Sequence, residues 1–211
     1  MYLRVRYWFD RLAALLALLV LSPVFLITAL LIARDGGPVF FRQTRIGRNG
    51  DLYRVFKFRS MIVNADDYLD DTGAPTRDRI TPVGRFIRKT SIDELPQFIN
   101  ILLGDMALIG PRPILPMFLP HMYDAEKQRM NALPGITGWA QVNGRNMIKW
   151  SERFKLDVHY INNASLWMDI RIVAMTVQKI LFASDIATDR NTAQVNDVTN
   201  RPGPNVTPPS T

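Results

Sequence analysis

Residues Leu12 to Ala33 run for 22 positions without a charged side chain, and this run restricts the chain more than any other stretch. As one straight helix it would be about 33 Å long, close to the thickness of a bilayer core. Two features oppose a simple crossing. Pro23 sits mid-run after Ser22, where proline removes a helix hydrogen bond and kinks the backbone. In lipid the freed carbonyl needs a new partner, and the Ser22 hydroxyl can supply one. Both flanks are also positive: Arg4, Arg6 and Arg11 precede the run, and Arg34, Arg42, Arg45 and Arg48 follow it. Positive residues favour the cytoplasmic side. The pattern therefore predicts a helix–break–helix that enters one leaflet and returns to the same face, with a simple span as the alternative. A signal peptide fits less well, because the run exceeds a usual h-region and no small-x-small site precedes Arg34.

The rest of the chain suits one domain plus a tail, with units expected at 1–35 (membrane helix), 36–184 (globular domain) and 185–211 (C-terminal extension). The class expected is α+β, amphipathic helices with a β-hairpin. Cysteine is absent, which excludes a disulfide framework. The net charge of +7 points to anionic partners: nucleic acid, acidic lipid or phosphorylated substrates.

Residues 34–59 hold seven basic side chains against Asp35 and Asp51. Val39–Phe41 and Leu52–Phe58 read as strands about a Gly47–Gly50 turn, with Lys57 and Arg59 on one face. A basic face lying on lipid headgroups explains these charges as readily as a site does. Asn64 to Thr81 carries five aspartates but no ligand spacing of a known metal cage, so it reads as a solvated loop. Asp93 and Glu94 open what reads as a short helix, with Ser91 and Glu94 at capping-box spacing and Gly104 as its stop. Arg85, Arg88 and Lys89 stand just upstream. Carboxylates beside cations at a helix start can hold a hard metal ion or attack phosphorus. They can equally be a cap and its box partner. Pro111-Arg112-Pro113 holds one guanidinium on a stiff, extended backbone, which favours bidentate phosphate binding.

Further on, Ile114 to Pro120 mixes prolines with large apolar residues and reads as a membrane-surface patch or a core-packed connector. Pro134 to Arg145 is glycine-rich but is neither a Walker loop nor a Rossmann fingerprint. Helices are expected over Ser151–Ile161 and from a Ser165 cap to about Phe182. On the second, Ile170, Val173, Ala174, Val177, Ile180 and Leu181 make a core or interfacial stripe. Beyond Asp185 the composition turns to Thr, Asn, Asp and Pro, giving a disordered tail or a pinned extension.

Asp-Glu-Leu-Pro-Gln at 93–97, Gly-Asp-Met at 104–106 and Gly-Pro-Arg-Pro at 110–113 together resemble the monotopic phosphoglycosyl transferases, or bacterial sugar transferases, over roughly residues 4–183. The chain resembles their minimal form. The family's re-entrant Ser-Pro helix matches Ser22-Pro23. Its Lys-Phe-(Arg/Lys)-(Ser/Thr)-Met stretch matches 57–61 and lends Arg59 an active-site role. Its Pro-Gly-Ile-Thr-Gly-Trp-Ala-Gln-Val-Asn-Gly-Arg stretch makes Arg145 a phosphate candidate. Its Ser-Leu-Trp-x-Asp motif lends Asp169 a supporting role. The resemblance implies transfer of a sugar 1-phosphate from a UDP-sugar to polyprenyl (undecaprenyl) phosphate. Asp93 would be the nucleophile, Glu94 a Mg²⁺ ligand, and Arg88, Arg112 and Arg145 the substrate arginines. It places the chain at the cytoplasmic face of a bacterial inner membrane, in a surface-glycan or glycoprotein pathway, with membrane lipid and a second copy of the chain as further partners. The sugar stays open, with a weak lean to N-acetylated sugars. The rival reading is a non-enzymatic basic membrane module that binds acidic lipid or a partner. Nucleic-acid binding has only the net charge behind it and no fingerprint.

Overall fold

The computed structural model describes residues 2–70, 76–144, 148–181 and 197–199. The apolar run folds as two helices, α1 (Tyr2–Val20) and α2 (Ser22–Ala33), bent by 63° where they meet. Among the described residues no single helix is long and apolar enough to cross a membrane, but this pair passes that test together. The bend follows from covalent structure. Pro23 has no N–H for the Leu19 carbonyl, and the Ser22 hydroxyl donates to that carbonyl instead, at 2.8 Å.

One side of the pair is built into the protein. Ala14 packs with Val55, Ile101 and Met106, and Ile32 with Phe58 and Ile87. The other side is apolar and bare: Trp8, Phe9, Leu12, Leu16, Leu19, Val20, Leu26, Ile27 and Leu30 are all exposed. An exposed apolar surface of this extent marks an interaction site or a membrane contact.

The expected hairpin is present as β1 (Phe40–Ile46) and β2 (Leu52–Phe58), antiparallel, with Phe40 opposite Phe58 and Ile46 opposite Leu52. Asn49 and Gly50 turn it with φ of 59° and 89°. Helix α3 (Pro82–Lys89) starts on a Thr81 cap that accepts from the Gly84 N–H at 2.9 Å.

The next turn differs from the sequence reading. Ser91 makes no capping box, because it sits in the left-handed region at φ 58° and its side chain caps nothing. Asp93 and Glu94 therefore occupy a separate 3₁₀ turn, Ile92–Glu94, ahead of α4 (Gln97–Leu103). Gly104, at φ 92°, ends α4 as expected. The fully buried Asn100 side chain fastens α4 to β2, accepting from the Phe56 N–H and donating to the Arg54 carbonyl at 2.9 and 2.8 Å.

A short parallel pair, β3 (Ala107–Ile109) and β4 (Gly135–Thr137), closes the centre. Here the glycines serve close packing of backbone on backbone. A Cβ on Gly135 would lie 2.1 Å from the Gly110 nitrogen, and one on Gly138 would lie 2.0 Å from the Gly110 oxygen.

The proline-rich stretch proves to be a core-packed connector. Pro116–His121 forms a 3₁₀ helix, and Ile114, Phe118 and Met122 are buried beside it with Phe154. Val198, beyond the motif-bearing region, fills the same cluster. Asp197 accepts from the Ser151 N–H at 3.1 Å and from the Ser151 hydroxyl. The described part of the extension is thus pinned.

After two short helices, α5 (Asp124–Lys127) and α6 (Trp139–Asn143), come α7 (Trp150–Asn163) and α8 (Leu166–Leu181), the latter capped by Ser165. The α8 stripe is not core. Ile170, Val173, Val177, Ile180 and Leu181 are all exposed, and Ile172 is buried instead.

Candidate active site

Several pieces of chain converge on one cleft of about 920 Å³. On one side Lys57 leaves the end of β2, and its ammonium lies 2.6 Å from Glu94 Oε1. Arg112 reaches the same oxygen from across the cleft, at 3.7 Å. The 3₁₀ turn presents Asp93 next to Glu94. Burial first, and the Glu94 charge second, push the Asp93 carboxyl up to about 6, while Lys57 and Arg88 pull the other way. Arg88 projects from α3 and donates from Nε to the Ser60 hydroxyl at 2.7 Å. The left-handed Ser91, also on the cleft wall, turns the chain so that α3 and the acidic turn meet here. Such a backbone conformation costs a non-glycine residue on the order of 1–2 kcal/mol and concentrates at functional sites.

The stiffness of the Pro111-Arg112-Pro113 segment has a second source besides proline. The Gly135 N–H donates to the Pro111 carbonyl at 2.9 Å, Arg129 Nη2 to the Arg112 carbonyl at 2.7 Å, and Arg45 to the Pro113 carbonyl at 3.5 Å. Arg129 is itself held by Asp157, its Nε and Nη2 lying 3.0 and 2.6 Å from Oδ2. Both partners are almost wholly buried. Burial, then the nearby Arg112 charge, pushes the Arg45 guanidinium down to about 10. With its backbone fixed, Arg112 keeps its side chain half-exposed. That arrangement suits a ligand-binding cation better than a structural one.

The remaining expected residues divide. Arg59 lines the cleft but spends one guanidinium nitrogen on the C-terminal end of α2 and the residues just after it. Its Nη2 donates to the Ile32 carbonyl at 3.0 Å and pairs with Asp35. Gly37 makes room for it, since a Cβ there would lie 1.7 Å from Arg59 Nη1. Asp169 is not on the cleft wall. It is buried, accepting from Tyr2 and Tyr160 hydroxyls at 2.6 and 2.7 Å and from Arg6 Nη1 at 2.9 Å. Arg6 also donates to the Ile109 carbonyl at 2.5 Å, so Asp169 ties α1 to β3, α7 and α8. Arg145 lies outside the described residues.

Sequence reasoning left out Lys57, Arg129, Arg153, Gln141 and Lys179, all on the cleft wall. Lys57 had the clearest signal, as a strand lysine two residues from Arg59. Arg129, Arg153 and Lys179 sit in helical patterns that look like ordinary surface, and Gln141 lies in the glycine-rich stretch, where the resemblance drew attention to Arg145 instead. Among the described residues, no group of three or more His, Cys, Asp or Glu side chains comes together. A hard cation at Glu94 would therefore fill its shell largely with water or with oxygens from a substrate.

The family profile described as bacterial sugar transferase matches residues 1–183. The chain belongs to the bacterial sugar transferase family. It is 45% identical over 181 residues to the uncharacterized sugar transferase EpsL of Bacillus subtilis, covering 84% of this chain and 88% of that one. It is 42% identical over 179 residues to the UDP-glucose:undecaprenyl-phosphate glucose-1-phosphate transferase of Escherichia coli, covering 81% of this chain and 39% of that one. It is 43% identical over 188 residues to the UDP-N-acetylgalactosamine-undecaprenyl-phosphate N-acetylgalactosaminephosphotransferase of Aeromonas hydrophila, covering 85% and 44%. The chain thus spans most of the first relative but about two fifths of the other two. The bacterial sugar transferase match ends at residue 183, so Asp197 and Val198 extend the core past the family region.

Proposed function

We propose that the chain is a phosphoglycosyl transferase that moves a sugar 1-phosphate from a UDP-sugar to a polyprenyl phosphate. The observation that carries this reading is the Asp93–Glu94 pair facing Lys57, Arg88 and Arg112 in one cleft beside a bent apolar helix pair. The bent pair is read as re-entrant, which sets the cleft at headgroup height on the cytoplasmic side. There a soluble donor and a lipid-borne acceptor both have access.

In the first step an Asp93 carboxylate oxygen attacks the sugar-bearing phosphorus. The bond from that phosphorus to the bridging oxygen breaks, and UMP leaves with the electron pair. An oxygen of the polyprenyl phosphate then attacks the same phosphorus, giving the polyprenyl-diphosphate sugar and returning Asp93. Dividing the transfer lets one site serve two substrates in turn. Lys57, Arg88 and Arg112 offset the charge that gathers on the phosphoryl oxygens. Lys57 and Arg88 also favour the ionised form of Asp93. Glu94 suits a Mg²⁺ ion completed by the donor's phosphate oxygens, which would supply further charge neutralisation.

The test is UMP release by the purified chain in detergent with undecaprenyl phosphate and a panel of UDP-sugars. One donor should release UMP, and Asp93→Asn should abolish the release. Absence of release from every donor would leave the basic membrane module as the better account.

A further inference from the structure

A second cavity, of about 720 Å³, shares no lining residue with the cleft. It lies where the N-terminal part of α1 meets the hairpin turn and the end of α4. Arg4, Arg11 and Arg48 line it, and no acidic side chain does. Among the described residues none of the three arginines is in an ion pair with a carboxylate. Arg11 is held in a defined position. It stacks over the Trp8 ring at 5.1 Å, and a Cβ on Gly104 would lie 2.2 Å from its Nη2. Tyr7 adds a fixed polar wall, its hydroxyl accepting from the Leu133 N–H at 3.1 Å.

Arg4 and Arg48 are exposed and Arg11 is half-buried, so the three guanidinium groups around this cavity are open to an anion from outside, and their fork geometry suits phosphate oxygens. The surroundings say how that phosphate arrives. Trp8 is 71% exposed, Leu103 next to Gly104 is 63% exposed, and Leu166 close after Ala164 is 65% exposed. A soluble anion gains nothing from such a rim, whereas a lipid with its acyl chains alongside does. The α1 residues on its wall run from Tyr2 to Arg11, so the cavity ends directly before the apolar run begins at Leu12, the level of headgroups if α1 enters the bilayer there. We infer that this cavity is a binding site for the headgroup phosphate of an anionic phospholipid, separate from the catalytic cleft. The inference rests on the membrane-entry reading of α1 but not on the transferase chemistry.

The full chain is placed in nanodiscs of equal phosphatidylcholine and phosphatidylglycerol, and retained lipid is read by native mass spectrometry after release. The wild type should keep one phosphatidylglycerol in preference to phosphatidylcholine by about tenfold or more. Arg48→Gln, on an exposed turn, should weaken that preference, and Arg4→Gln/Arg11→Gln/Arg48→Gln should abolish it. The charge-matched Arg34→Gln/Arg42→Gln/Arg54→Gln should retain it. Equal retention by the cavity triple variant and the wild type would overturn the site. So would displacement of the lipid by millimolar inorganic phosphate, which would make it a free-anion site. Preferential retention of added undecaprenyl phosphate would reassign it to the acceptor and also refute the inference. Failure of the wild type to enter pure phosphatidylcholine discs would instead strike the membrane reading of α1, an outcome separable from lost lipid preference.

Discussion

Asp157→Ala probes how the cleft is held open in its working shape. Arg129 and Asp157 have side chains only 4% and 2% exposed, and they form a two-pronged contact at 3.0 and 2.6 Å. Removing the carboxylate strands an almost wholly buried guanidinium, which costs about 3–5 kcal/mol. For a chain of this size each kcal/mol lowers the midpoint by about 2–4 °C, so thermal unfolding in detergent should fall by roughly 6–20 °C. The companion variant Arg129→Met/Asp157→Leu removes both charges and should recover most of that loss, because neither member of the pair is left behind as a buried ion, although Arg153 still loses the attraction of Asp157. It should not recover activity fully. Arg129 also donates to the Arg112 carbonyl at 2.7 Å, so the Arg112 segment loses one of its three backbone anchors in the double variant. The expected kinetic signature is a raised donor KM. Circular dichroism melts and UMP-release kinetics on the three proteins read both effects. An Asp157→Ala midpoint within about 2 °C of wild type would refute the reasoning, since it would mean the guanidinium finds water.

Other outcomes follow from the same geometry. In metal-free protein the Asp93 carboxyl should titrate near pH 6 by carbon-13 NMR, and Glu94→Gln should lower that midpoint by removing a like charge. The sign for catalysis is that rate falls as pH drops through this midpoint, because a protonated Asp93 is no nucleophile. Pro23→Ala restores the N–H aimed at the Leu19 carbonyl and should straighten the 63° bend. The chain contains no cysteine, so a single Leu3→Cys can report topology: shielded from an external thiol reagent in the parent and labelled in the Pro23→Ala background. Val198→Ala should cost about 2 kcal/mol in denaturant unfolding, since it empties part of a closed cluster.

Much of this was legible in the residues themselves. Ser22-Pro23 amid uncharged neighbours announced the bend, and the Ser22 hydroxyl took the carbonyl that proline frees. The hairpin, the Gly104 stop and the Ser165 cap rest on local turn chemistry, which sequence reports directly. What the residues left open or misdirected was anything decided by distant partners. The Ser91 capping box had the right spacing, but the left-handed turn that joins α3 to the acidic pair overrode it. The α8 stripe had helical periodicity, yet periodicity shows that one face is apolar without showing what covers it. The glycines at 135 and 138 mark a glycine-rich stretch without telling which backbone they meet, because Gly110 is more than twenty positions away. Asp169, to which the resemblance lends a supporting role, sits off the cleft wall in a buried network with Tyr2, Arg6 and Tyr160 that no local pattern announces. The Arg129–Asp157 pair spans 28 residues and leaves no pattern in the sequence.

The nucleophile can be tested without knowing the pathway. Wild-type chain is mixed with its UDP-sugar donor in the absence of acceptor, quenched, digested and mapped by mass spectrometry. A sugar-phosphate adduct should appear on the peptide bearing Asp93 and vanish once undecaprenyl phosphate is added. An adduct on any other residue, or near-normal turnover by Asp93→Asn, would contradict it.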